Sequence, residues 1–295
     1  MQIGIDLGAT KIESVLLDGK SSELYRTRKK SPKNYKDTIN SIIDSVKFIE
    51  KKFNKNFNVG ICHPGSTNLD TGLIQNAINS PWFNNTKFTE DISVALNRQV
   101  FCENDANCFA LSESYDGAAK HYKIVFGIIL GSGCGGGIVI DNKILTGPNC
   151  FSGEWGHVPL PNSKKNYTVE DHISGKGLER LYFDQHKEKL TAKDIFLKSR
   201  KNSLKEKKFI EVFLDKLGLS LSMLINMIDP DAIVFGGGVS NEIESLDEVK
   251  KITEMYLKKI NHLKNINLRT IFLKPKYGDA SGVRGAALLG RKKIY

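Results

Sequence analysis

Apolar residues recur along the chain with two different periods. Between Gln2 and Leu7 they alternate, and a second short segment, 12–17, ends in the apolar run Val15-Leu16-Leu17. Alternation puts every second side chain on one face, so 2–7 is a predicted strand, and 12–17 looks like its hairpin partner. Tyr35, Ile39, Ile42, Val46, Ile49 and Phe53 instead fall three and four apart, the stripe of an amphipathic helix. FNVGIC at 57–62 and QVFC at 99–102 are short apolar runs of strand length, and a helix follows over about 106–117. IVFGIIL (124–130) and GGIVI (136–140) read as two strands joined by a glycine-rich turn. From 141 to 175 the pattern is irregular. Ile210, Phe213, Leu217, Leu221, Leu224 and Ile228 mark a long helix, which Asp229-Pro230 ends. AIVFGGG at 232–238 is a strand running into glycines. Val249, Ile252, Tyr256, Ile260 and Leu263 give another helix, INLRTIFL (266–273) a last strand, and GVRGAALLG (282–290) opens a final helix. Strands and helices alternate, so the class is α/β.

One internal echo refines this. IDLGAT at 5–10 and IILGSG at 128–133 share a strand, Leu-Gly and a small-residue turn, and each leads into a second strand. A hairpin repeated in each half points to a duplicated fold with a cleft between the halves.

Composition narrows the class. Of 295 residues 40% are hydrophobic, which is globular rather than disordered. The longest apolar runs are far too short to span a bilayer, and MQIGIDLG lacks the basic and then apolar regions of a secretory signal. The five cysteines, at 62, 102, 108, 134 and 150, form no C-x-x-C pair and read as reduced cytosolic thiols. The net charge of +10 raises the question of nucleic acid. The lysines are spread in pairs through helical patterns, as on solvated faces, and no nucleic-acid motif accompanies them.

Candidate chemistry begins with glycine. GSGCGG at 131–136 fits G-x-G-x-x-G, but the dinucleotide fingerprint needs a helix next, and GIVIDNKIL alternates like a strand. A Rossmann site is thereby rejected, and no Walker A pattern is present. A strand–glycine turn–strand unit still offers successive N–H groups to an anion, and glycine permits close approach. The plain alternative is a tight hairpin. Two echoing turns plus GGG at 236–238 favour a nucleotide. In FCENDANC (101–108), Asn104 or Asp105 can cap the following helix. Equally, a carboxylate at the end of a strand facing a cleft can serve as a base. The two roles are compatible. Asp6, in an otherwise apolar strand, calls for a metal or lysine partner. Asp279 reads as a cap for the last helix, and Trp82 and Trp155 as packing residues.

IGIDLGATK, GICHPGS, ENDANCFALSE, LGSGCGGG, GEWGH, ISGKG, DPDAIVFGGGVSN and GDASGVRGAA occur in that order from Ile3 to about Leu289. Together they resemble the ROK family of bacterial sugar kinases, in the actin/hexokinase-like superfamily. NAINSPWFNN and GEWGHVPLP resemble the fructokinase/mannokinase type; N-acetylglucosamine kinases share almost as much. The resemblance implies a two-lobed actin-like ATPase fold, ribonuclease H-like and duplicated, with a central cleft. One lobe, 1–115, would be completed by a C-terminal helix at 280–295, and the nucleotide lobe would be 116–279. It implies ATP and Mg²⁺, with Asp6 near the metal and phosphates. Gly8, Ala9, Thr10 and Lys11 would form a first phosphate loop; Gly131, Ser132, Gly133, Gly135 and Gly136 would lie in a second. Gly236, Gly237 and Gly238 would border the adenosine. Gly65, Ser66, Asn79, Asn104, Glu154, His157 and Glu170 would hold the sugar, and Asp105 would be the general base.

The family also carries a zinc site of one histidine and three cysteines. Here VPLPNSKKNYTVEDHI, from 158 to 173, contains no cysteine, so no zinc is expected. The implied function is ATP-dependent phosphorylation of a hexose primary hydroxyl, fructokinase- or mannokinase-like, by a cytoplasmic homodimer without nucleic-acid or membrane partners. The alternatives are an N-acetylglucosamine or N-acetylmannosamine kinase, and, in another class, a non-catalytic sugar-binding regulator. A repressor of this family would carry a helix-turn-helix before the first glycine turn, where Gln2 already begins a strand.

Overall fold

The computed structural model describes residues 1–161, 167–201 and 203–291. Two five-stranded sheets repeat one topology. In the first, β1 (Gln2–Leu7) pairs antiparallel with β2 (Lys11–Leu17), and β2 with β3 (Glu23–Lys30). After α1 (Tyr35–Phe53), β4 (Asn58–His63) returns parallel to β1. A small hairpin, β5 (Ser66–Thr67) with β6 (Ile74–Gln75), and α2 (Phe88–Leu96) precede β7 (Phe101–Asn104), which lies parallel to β4. α3 (Asp105–Tyr115) then crosses to the second sheet. There β8 (Ile124–Leu130), β9 (Cys134–Ile140) and β10 (Lys143–Ile144) form the antiparallel part. Four helices follow: α4 (Val169–Ile173), α5 (Gly175–His186), α6 (Ala192–Arg200) and α7 (Leu204–Ile228). β11 (Ala232–Gly236) lies parallel to β8. α8 (Gly238–Glu242) and α9 (Leu246–Ile260) lead to β12 (Ile271–Leu273), parallel to β11, and α10 (Ser281–Leu289). The echo between IDLGAT and IILGSG is thus the first hairpin of each half.

The apolar patterns explain the layers. The stripe of α1 buries Ile42, Val46 and Ile49 with Ile3, Ile5 and Ile61 on one face of the first sheet. The corresponding core of the second half gathers Phe213, Leu217 and Leu221 of α7 with Ile128, Ile233 and Phe235. Between the sheets lie α3 and α10. α10 packs on β1, β4 and α3, while α3 packs on β8 and β9. This approach needs glycine: a Cβ at Gly60 would lie 1.8 Å from the Ala286 carbonyl oxygen, and one at Gly4 would lie 2.2 Å from that of Val283.

Several elements differ from the sequence expectation. β3 was not foreseen, because ELYRTRKK is mostly charged; it is an edge strand with one face in solvent. Its arginines explain Glu13, fully buried on β2: Arg28 Nε donates to Glu13 at 2.9 Å, and Arg26 also pairs with it. INLRTIFL shortens to Ile271–Leu273; upstream, the Leu268 amide donates to Glu254 rather than to a strand. The 141–175 stretch contains α4, ordered by a capping box between Thr168 and Asp171. Asp279 does not cap α10; the N-cap position is Ala280 and no side chain bonds there. Trp82 and Trp155 both pack in cores, as expected. Of the expected C-terminal helix, 292–295 lie outside the described residues.

Candidate active site

The polar cluster after β7 divides its tasks. Asn104 takes extended backbone angles and its Oδ1 accepts the Asn107 amide at 2.7 Å, so it caps α3. Glu103 folds back to accept the Asn104 amide at 2.8 Å. Asp105 is thereby left as the first residue of α3, exposed at the floor of a cleft. One oxygen accepts the Ala106 amide at 2.8 Å. Desolvation by the surrounding protein raises its pKa above the ordinary range, against the opposing pull of the Ala106 amide.

That cleft, of about 340 Å³, brings together residues from both halves. Gly65, Ser66, Asn79, Asn104 and Asp105 line it from the first half; Gly131, Ser132, Gly133, Gly135, Gly136, Glu154, His157 and Glu170 line it from the second. The glycine turn is braced from behind. Trp155 Nε1 donates to the Gly135 carbonyl at 3.2 Å, and Glu170 Oε2 accepts the Cys134 amide at 2.7 Å. Glu154 lies 3.5 Å from His157 Nδ1. Burial raises the Glu154 pKa; His157 lowers it, while Asp105 and Glu170 raise it further. Three carboxylates therefore face one cavity, a surface rich in acceptors for the hydroxyls of a polyol.

A second cavity of about 650 Å³ adjoins the first and shares Gly131 and Ser132 with it. Gly175, Lys176, Gly238 and Asn241 are among its other walls. Gly238 belongs to it, but Gly236 and Gly237 serve packing. A Cβ at Gly236 would lie 2.6 Å from the Phe109 ring, and Gly237 holds φ +91° against the Leu130 backbone. Nor do Asp6, Gly8, Ala9, Thr10 and Lys11 line either cavity. The Gly8 amide bonds the Lys11 carbonyl at 2.9 Å, closing the first turn on itself, and the Ala9 carbonyl accepts Lys33 Nζ at 2.6 Å. Lys11 Nζ stands 4.0 Å from Glu13. Asp6 accepts the Cys62 thiol at 3.1 Å. Its pKa is pushed up to about 6, first by burial and then by the charges of Asp105 and Glu13, against opposing pulls from the Cys62 hydrogen bond and Lys11.

Sequence reasoning missed Lys176 as part of this region, and read Trp155 as packing without its second task of bracing the glycine turn. Both stand inside quoted motifs, ISGKG and GEWGH, and the signal was position within the motif rather than residue type. Among the described residues no group of three or more His, Cys, Asp or Glu could hold a metal ion. Cys150 is turned away, its thiol on the Thr67 carbonyl at 2.9 Å. Part of the segment that lacks the family's cysteines, 162–166, lies outside the described residues.

Two sheets of one topology, helices between them and a cleft lined from both halves make this a two-lobed protein of the actin-like fold. The chain belongs to the ROK family, whose model matches residues 2–293. It is 33% identical over 99% of its length to the whole of an N-acetyl-D-glucosamine kinase from Yersinia enterocolitica. With one from Pectobacterium atrosepticum it shares 35% identity over 98% of each chain. The structure superposes on that of a ROK hexokinase from Thermus thermophilus with a TM-score of 0.84 at 25% identity, covering 98% of this chain and 97% of the other. A ROK glucokinase from Streptomyces griseus, in complex with glucose and AMPPNP, gives 0.77 at 25% identity over 98% of each. These relatives favour the amino-sugar alternative over the fructokinase/mannokinase reading drawn from NAINSPWFNN.

Proposed function

We propose that the protein is an ATP-dependent sugar kinase that phosphorylates a hydroxyl of N-acetylglucosamine. The observation that carries this reading is Asp105, a carboxylate with a raised pKa on the floor of a cavity it shares with Glu154 and Glu170, opposite a glycine turn that opens onto a second cavity. The sugar would sit among Asn104, Glu154, His157 and Glu170, with Gly65, Ser66 and Asn79 at its edge. The nucleotide would lie beyond Gly131 and Ser132, its base end towards Gly238.

Phosphoryl transfer asks mainly for positioning and charge neutralisation. The primary hydroxyl oxygen forms a bond to the γ-phosphorus, the bond from that phosphorus to the ADP oxygen breaks, and the hydroxyl proton passes to Asp105. A base of this kind contributes roughly 10²–10⁴-fold. Backbone N–H groups of the glycine turn stabilise the transferring group. Asp6 is a hard oxygen donor, but it lines neither cavity and one of its oxygens is held by Cys62, so Mg²⁺ would arrive with ATP, where it would supply neutralisation of phosphate charge. Lobe closure would exclude water from the transfer.

The amino sugar is supported by the relatives and by space. Another cavity of about 420 Å³ shares Ser66 and Asn104 with the sugar cleft and includes Thr67, Leu69 and Cys102, a mixed lining that suits an acetamido group. A coupled ADP-release assay over N-acetylglucosamine, N-acetylmannosamine, glucose, mannose and fructose tests the reading. Highest kcat/KM with N-acetylglucosamine is the expected result; preference for fructose or mannose overturns the substrate, and no turnover with any sugar overturns the kinase.

A further inference from the structure

The sugar and nucleotide cavities meet at Gly131 and Ser132, and among the described residues Lys176 is the cation that bridges that junction. Lys176 lines the nucleotide cavity from the first turn of α5. Its Nζ crosses to the sugar side and donates to Asn79 Oδ1 at 3.3 Å. Lys193 also lines the nucleotide cavity, but among the described residues no hydrogen bond takes it to the sugar side.

The backbone fixes where Lys176 stands. The Gly175 amide donates to the Gly131 carbonyl at 2.8 Å, and the Lys176 amide to the Ser132 carbonyl at 3.2 Å. Ser174 caps the helix through the Gly177 amide at 3.0 Å. The start of α5 is therefore bolted to the glycine turn, and the root of the Lys176 side chain cannot drift from it. The ammonium itself is exposed on a flexible stem, free to exchange partners.

Charge explains what that cation is for. Asp105, Glu154 and Glu170 face the sugar cavity, and Asp6 is electrostatically coupled to Asp105. A polyanionic nucleotide entering beside these groups meets repulsion. A lysine is an effective point charge for phosphate, and the hydrogen bond to a neutral amide oxygen is a weak one to give up for a charged acceptor. We infer that Lys176 is a catalytic residue that leaves Asn79 and binds the terminal phosphoryl group of ATP at the junction of the two cavities. The inference rests on the reading of the site as one for phosphoryl transfer from ATP. It assigns the contact to the γ-phosphate, because the junction with the sugar cleft is where the transferring group must lie. The same exchange releases Asn79 towards the sugar.

The test compares two nucleotides on two variants. Lys176→Met keeps the aliphatic stem and both backbone hydrogen bonds; Lys176→Arg keeps the charge. Affinities for ADP and for a non-hydrolysable ATP analogue, each with Mg²⁺, are measured by calorimetry, alongside steady-state kinetics. Lys176→Met should weaken the analogue by about 10-fold or more, the scale of a lost charge-assisted hydrogen bond. ADP should change by less than about 3-fold. KM for ATP should rise and kcat fall while the sugar dissociation constant stays within about 2-fold, and Lys176→Arg should recover much of the loss. If the wild-type protein binds both nucleotides and Lys176→Met alters them equally or not at all, the Lys176 assignment fails while the kinase reading stands. If the wild-type protein binds neither nucleotide, the kinase reading fails and takes the assignment with it.

Discussion

Glu170 Oε2 accepts the backbone N–H of Cys134 at 2.7 Å, so a side chain of α4 holds the glycine turn that separates the two cavities. The bond uses one carboxylate oxygen and leaves Oε1 without a hydrogen-bond partner among the described residues. Glu170 thus both shapes the turn and faces the cleft of Asp105 and Glu154. Glu170→Gln retains an acceptor for Cys134 and should mainly raise KM for the sugar. Glu170→Ala should in addition raise KM for ATP, by about 10-fold, because the loss of a charged acceptor at a backbone amide is a loss of this order. Parallel KM measurements on the two variants decide it; equal ATP kinetics in both would mean that the turn does not depend on Glu170.

Asp105→Asn should keep the fold, because the cap of α3 is made by Asn104 rather than by Asp105. Turnover should fall by about 10² or more, with sugar affinity changed only a few-fold. Near-normal kcat in a variant with wild-type circular dichroism would remove Asp105 from the role of base.

Two glycines of the same turn should behave differently. A Cβ at Gly131 meets nothing within 4 Å, whereas one at Gly133 would lie 2.8 Å from Glu170 Oε2. Gly131→Ala should therefore raise KM for ATP by obstructing the turn's approach to phosphate while leaving sugar affinity intact. Gly133→Val should damage both substrates, since it also displaces Glu170. Sugar titration without nucleotide separates them, and a sugar-binding defect in Gly131→Ala would count against this division.

Asp6 gives a pH dependence with a definite sign. Its native carboxyl titrates at about 6, above the ordinary 3.8. Between these values the native state keeps a proton that the unfolded chain has lost, so this group's contribution to stability is complete below about 3.8 and is lost as pH rises through about 6. In urea unfolding without Mg²⁺, the wild-type protein should lose stability relative to Asp6→Asn between pH 4 and 7. A difference constant across that range would show that Asp6 is not perturbed.

The purified protein should contain no stoichiometric zinc. His157 stands beside Glu154, while Cys150 is bonded to the Thr67 carbonyl, so these two groups are not gathered as ligands. Elemental analysis after dialysis checks this, and a zinc-to-protein ratio near one would overturn it.

Much of the fold was legible because its signals are local. Alternation in β1 and the three-and-four spacing in α1 each reflect one buried face, and the repeated Leu-Gly turn betrayed the duplication. β3 was not legible, because an edge strand buries little and its charged face resembles a loop; its arginines make sense only beside the buried Glu13. Within the site, the motifs located the residues of the cleft. They did not distinguish the glycine that lines a cavity, Gly238, from its neighbour Gly236, which Phe109 covers. That difference depends on which element passes behind the strand, and no run of consecutive residues records it.

The packing of α10 also sets an order of events. Gly4 and Gly60 belong to the first strands made, yet the helix seated on them carries Val283, Ala286 and Ala287, near the end of the chain. Throughout synthesis the first sheet therefore has one apolar face and no partner for it. Its hairpin can form early, but its burial awaits contacts almost the whole chain apart, the kind that slow folding most. A polypeptide stalled or cut before α10 would keep both glycine turns and much of the cleft and still expose an uncovered sheet, the surface by which incomplete chains aggregate.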